Sequence, residues 1–150
     1  MSQQAGSTPG VQRYSPEQRL ILDQVARTSI LDGHSRGAWL PELDAKHAMR
    51  MQRTDAEPWL LANTATFVTL FRDNKLRGCI GTVRAYQPLL QDLADHAFEA
   101  AFRDPRFEAL RPEQYEGLEL HLSILNEPRL LAIDNEQGLV DCLRPGVDGL

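Results

Sequence analysis

The stretch Leu76-Arg77-Gly78-Cys79-Ile80-Gly81 carries the most chemistry per residue in this chain. A thiol sits between glycines, with a guanidinium two residues before it. In an extended strand side chains alternate faces. Arg77, Cys79 and Gly81 would then share one face, and Leu76, Gly78, Ile80 and Thr82 the other. A cation beside a thiol favours the thiolate, the reactive form, and glycines leave room for a ligand to approach the backbone. Against this, free cysteine packs as a small buried hydrophobe, and strand glycines mark a bulge or close helix packing. Both readings of Cys79 stand.

A second group follows at Asp104-Pro105-Arg106-Phe107. Asp104 could orient Arg106 or a substrate group, or the two could tie down a loop after a helix stop. Asp92 and His96 are four residues apart, a spacing that could hold a metal. With no third ligand nearby, they read as a solvated helix face. His34 and His47 lack ligand spacing too, and no zinc, phosphate-loop or serine-hydrolase motif is present, so the sequence implies no metal and no cofactor. His121 alternates with Leu120 and Leu122 and reads as a partly exposed strand histidine. Trp39 and Trp59 read as core or subdomain-contact residues.

These residues need elements to position them. Ser15-Pro16-Glu17-Gln18 opens a helix: Ser15 as N-cap, Pro16 at the first position, Gln18 completing a capping box. Leu20, Ile21 and Val25 form its expected stripe, and Gly33 can end it. Residues 35–58 read as a loop with a short helix near 42–51. Residues 64–71 and 76–83 are β-prone runs around Asp73-Asn74, a hairpin signal. Residues 88–103 carry an apolar band at helical spacing, with Leu93, Ala97, Ala101 and Phe102 expected on a sheet and Asp92, Asp95 and Glu99 outward. Asp104-Pro105 stops that helix, and a loop with a short helical turn follows. Residues 118–125 alternate as a half-buried strand. Glu127 to Leu131 would run along a sheet edge, since Pro128 cannot donate to a ladder. Residues 145–150 look like a turn leading into a strand. The order predicts an α/β (α+β type) protein with a mainly antiparallel sheet flanked by helices.

The chain has 150 residues, Lys and Arg total 16 against 21 Asp and Glu, and the net charge is -5. That opposes non-specific binding to nucleic acid or anionic lipid. Two cysteines make no disulfide framework. No signal-peptide order and no long apolar run stand out, which points to the cytoplasm by exclusion. Residues 1–14 read as a flexible tail, and 15–150 as one domain.

The order of LRGCIGT, AAFRDPRF and LELHLSIL, closed by PGVDGL, resembles the AMMECR domain family over about residues 15–150. The resemblance implies two unequal subdomains, with Arg77, Gly78, Cys79, Ile80, Gly81, Asp104 and Arg106 lining a ligand-binding groove. It also implies that the chain stops short of the family's C-terminal strands and helix. Bacterial members are associated with a Memo-family protein and a radical-SAM protein, the AmmeMemoRadiSam set. The family's activity is unresolved. The resemblance therefore implies a binding or accessory module for those partners and an unknown small molecule. The alternative is an enzyme in which Cys79, with Arg77, is catalytic toward a small molecule or nucleobase. No base is paired with Cys79 in the sequence, as nucleophilic catalysis requires.

Overall fold

The computed structural model describes residues 14–36, 58–127, 130 and 133–143, without the side chains of 34–36. The expected tail up to residue 13, the short helix near 42–51, Trp39, His47, most of the edge segment at 127–131 and the closing 145–150 lie outside these residues, as does the side chain of His34. The chain divides into a unit of Tyr14–Leu125 and a unit of Met1–Arg13 with Asn126–Leu150.

In the larger unit, α1 (Pro16–Arg36) and the short α2 (Pro58–Leu61) precede β1 (Ala65–Arg72) and β2 (Lys75–Gly81). Then come α3 (Leu89–Phe102), a 3-10 turn (Pro112–Gln114) and β3 (Leu118–Leu125). The three strands form one antiparallel sheet in the order β2-β1-β3. This is the predicted α+β architecture. In the smaller unit α4 (Glu136–Cys142) begins at Asn135, whose side chain accepts the Gly138 N–H at 2.8 Å.

The capping box of α1 forms as its sequence dictates. Gln18 N–H donates to Ser15 Oγ at 3.2 Å, and Ser15 N–H to Gln18 Oε1 at 2.8 Å. Its buried side differs from the expected stripe. Leu20 is exposed, while Leu22, Val25, Ala26, Ser29 and Ile30 are buried. The helix also runs past Gly33, because Gly33 lies directly beneath the Phe98 and Phe102 rings of α3, where a side chain would collide. Small residues let the helices approach closely, and Ser29 Oγ donates to the Ala94 carbonyl at 2.7 Å. Tyr14 belongs to this unit and its ring lies 5.6 Å from that of Trp59, which packs against the core.

The hairpin turns on Asp73 and Asn74, both in the left-handed region (φ 52 and 58), as a two-residue hairpin loop requires. Val68 and Leu70 of β1 point into the core, joined by Ile80, Leu120, Leu122 and Ile124 from the flanking strands.

α3 corrects two expectations. Phe102, with Phe98, packs over Gly33 of α1, while Asp92, His96 and Ala100 touch β1 and β2 and Leu93, Ala97 and Ala101 are buried in the same core cluster as Val68 and Leu70. Asp92 and His96 are therefore not on a solvated face: they are 0% and 3% exposed. The Thr66 N–H and hydroxyl donate to Asp92 Oδ2 at 2.8 and 2.7 Å. His96 Nδ1 lies 3.0 Å from the Thr66 hydroxyl and 3.2 Å from Asp92 Oδ2. Gln87 Nε2 donates to Asp92 Oδ1 at 3.2 Å. Burial raises the pKa of a carboxylic acid, but the hydrogen bonds from His96 and Thr66 outweigh it and hold Asp92 below its usual range. Asp95, half-buried, accepts from Gln87 and Gln91. A polar cluster so fully paired is tolerated inside a core and pins α3 to the start of β1.

Candidate functional site

The register of β1 against β2 decides where the Leu76–Gly81 segment points. From the turn, Arg72 pairs with Lys75 and Phe71 with Leu76. Leu70 then pairs with Gly78, so Arg77 is left over as a bulge residue. Had the turn's register continued, Leu70 would oppose Arg77 and Val68 would oppose Cys79, burying both on the core face. The extra residue reverses the faces of everything after it. Gly78 and Ile80 turn inward, and Cys79 and Gly81 come opposite Thr69 and Phe67 on the other face.

The expected alternation is thus broken at Arg77. Cys79 and Gly81 do share a face, but the Arg77 guanidinium departs toward the segment after α3. Its Nη2 donates to the Glu108 carbonyl at 2.7 Å and to Gln114 Oε1 at 3.4 Å, and its carbon lies 5.8 Å from the Phe107 ring centroid.

The glycines are filled, not open. A side chain at Gly78 would meet the backbone carbonyl of Ala100 in α3, and one at Gly81 would meet the Phe67 ring and the Thr66 carbonyl. Their smallness lets α3 and Phe67 lie against the strand, the packing reading of the motif. Ile80 joins the core.

Cys79 is half-buried. Its Sγ is 3.2 Å from the Thr69 hydroxyl, the one polar side-chain atom within hydrogen-bond reach among the described residues. Its backbone is held at both ends. The N–H donates to Asp104 Oδ2 at 2.9 Å, and the carbonyl accepts from Arg106 Nη2 at 3.4 Å. Asp104 is buried and grips Arg106 through Oδ1 to Nε at 3.0 Å and Oδ2 to Nη2 at 2.8 Å, with the Arg106 backbone N–H at 3.1 Å. The Arg106 guanidinium, against desolvation and aided by the Cys79 and Arg106 backbone N–H groups, holds the Asp104 carboxyl well below the usual carboxylate range. Arg106 lies 5.5 Å from the Phe107 ring centroid.

The structure therefore brings Asp104 and Arg106 to the Cys79 backbone as a latch between β2 and the end of α3. Phe107, the last residue of the Asp104–Phe107 group, completes the arrangement with Thr69, Glu108 and Gln114, which were not singled out in the sequence. His121 lies directly across β1 from Thr69, exposed, with its ring 4.8 Å from that of Phe71. Among the described residues no group of three His, Cys, Asp or Glu side chains could hold a metal ion, and no helix is long and apolar enough to cross a membrane.

Residues 25–150 match the AMMECR1 family model. A protein of Methanothermobacter thermautotrophicus is 33% identical over 144 residues, covering 92% of this chain and 68% of its own length. One of Saccharolobus solfataricus is 31% identical over 144 residues, covering 93% of this chain and 59% of its own. One of Methanopyrus kandleri is 35% identical over 94 residues, 61% of this chain and 45% of its own. The crystal structure of a Pyrococcus horikoshii protein superposes with a TM-score of 0.60 at 30% identity, over 74% of this chain and 52% of that one. The chain thus spans about half to two thirds of the length of these relatives.

Proposed function

The chain belongs to the AMMECR1 family, and from that premise we propose that it is a binding or accessory module rather than a thiol enzyme. Its binding surface is where Arg77, Phe107 and Arg106 meet beside the Cys79 latch, and its partners are a Memo-family protein and a radical-SAM protein. The observation that carries this reading is the environment of Cys79. A nucleophilic cysteine needs a base within hydrogen-bond reach, and among the described residues the thiol's one hydrogen-bond partner is the Thr69 hydroxyl. The Cys79 N–H is engaged by Asp104, so it is not a donor for a developing oxyanion. What remains is the exposed Arg106 and the half-buried Arg77 around an aromatic ring, a combination enriched at interfaces. The rival reading, Cys79 as nucleophile toward a small molecule or nucleobase, draws its support from the thiol's partial exposure.

The test is a calorimetric titration with a Memo-family protein from the same source. Cys79→Ser should bind within about threefold of wild type, and Arg106→Ala should weaken binding by at least tenfold, the range of a hot-spot arginine. Absence of binding by the wild type, or its loss on Cys79→Ser alone, would defeat the module reading.

A further inference from the structure

Arg77 Nη1 is buried and has no hydrogen-bond acceptor among the described residues. The other terminal nitrogen, Nη2, uses its donors on Glu108 O and Gln114 Oε1. Both of those acceptors are neutral. Arg106 is ion-paired with Asp104 and Arg111 with Glu113, whereas Arg77 has no carboxylate partner among the described residues. A guanidinium with an unspent donor and an uncompensated charge is poorly satisfied by the fold itself. No described side chain forms an ion pair with it, so a negatively charged acceptor is what the fold leaves unsupplied.

We infer that the Arg77 guanidinium, on the surface it forms with Phe107 and Gln114, is the recognition point for an oxyanion, a carboxylate or phosphate group of a small ligand. A rotation of the guanidinium that uncovers the buried Nη1 lets it donate to one oxygen of that group. The Gln114 carboxamide, whose oxygen already accepts from Arg77 and from the Arg111 N–H at 3.0 Å, offers its Nε2 donors from the same position. Phe107 holds the guanidinium plane from one side, 5.8 Å from centroid to guanidinium carbon, and Arg106 adds charge from beside the same ring. The bulge at Arg77 is what frees this side chain from the sheet to meet the loop. In a chain of net charge -5, a localised cationic point of this kind selects an anion where the rest of the surface repels it.

This inference rests on the reading of this surface as a binding site, but its test uses the protein alone, so the absence of a protein partner cannot imitate its failure. The 15N-labelled chain is titrated with inorganic phosphate and, separately, with acetate, against sodium chloride at matched ionic strength. The expected result is a saturable shift of the Arg77 side-chain Nε–H and of the Gly78 and Phe107 amides with one or both oxyanions and none with chloride. A response to phosphate alone assigns a phosphate ligand; one to acetate assigns a carboxylate. Arg77→Gln should abolish the response, and Arg77→Lys should weaken it at least about tenfold, since lysine lacks the guanidinium fork. If Arg77→Gln does not fold, Gln114→Ala must weaken the response instead. No saturable shift with either ion, or one that survives these substitutions, overturns the inference.

Discussion

The backbone N–H of Cys79 donates to the buried carboxylate of Asp104 at 2.9 Å, and through that bond the middle of β2 is fastened to the end of α3. Asp104 serves Arg106 with both oxygens at the same time. The Leu76–Gly81 segment is therefore a junction of strand, helix and loop before it is anything else.

Removing the carboxylate should show what the junction contributes. Asp104→Ala strands the Cys79 N–H and releases Arg106. The loss expected for hydrogen bonds to a charged group is about 1.5–3 kcal/mol, measured by denaturant unfolding. A change indistinguishable from zero would mean the latch is incidental to the fold.

The same carboxylate sets a pH dependence. Its folded pKa is depressed, chiefly by Arg106. Its contribution is therefore fully present above the unfolded value, about 3.9, and lost progressively as the pH falls below it. Asp92, also depressed, acts in the same sense. Unfolding free energy should drop below about pH 4, and the drop should be shallower in Asp104→Asn. Equal slopes in the two proteins would remove Asp104 from the explanation.

Gly78 faces the Ala100 carbonyl of α3. Gly78→Ala must push the helix off the strand, and overpacking of this kind costs about 1–3 kcal/mol. An alanine variant as stable as wild type would argue that the glycine serves ligand access instead.

The Asp92 cluster makes a comparable demand. Asp92→Ala leaves the Thr66 N–H buried without its acceptor, and stranding a buried donor costs about 1–3 kcal/mol. Thermal melting of the variant checks this; a shift of a degree or less would show that the cluster is held by packing alone.

Much of this fold was legible because local chemistry announces it. Ser15 and Gln18 define one helix start, Asp73 and Asn74 one turn, Pro88 and Asp104-Pro105 the limits of α3. What escaped were choices made by tertiary packing. Leu20 and Leu22 are both apolar, and only contact with α3 decides that Leu22 is inside. Asp92 and His96 look like a wet helix face until Thr66 is brought to them from β1. Above all, the bulge at Arg77 cannot be read from alternation, since the turn alone would pair Val68 with Cys79. One unpaired residue sends Cys79 to Thr69, Gly78 to α3, and Arg77 away to Gln114. Asp104 and Arg106 were visible as candidates because of their charge after a helix stop, with Phe107 beside them, while Thr69 and Gln114 had no signal of their own.

On the proposed reading Cys79 is a member of this junction and not a nucleophile. Alkylation with iodoacetamide near neutral pH, followed residue by residue in the native protein by mass spectrometry, tests it most directly. Cys142 is exposed on α4, whereas Cys79 is half-buried with its sulfur against the Thr69 hydroxyl. Cys142 is expected to label first, and Cys79 to become fully reactive only on unfolding. Faster labelling of Cys79 than of Cys142, slowed by Arg77→Ala, would contradict it and return the site to catalysis.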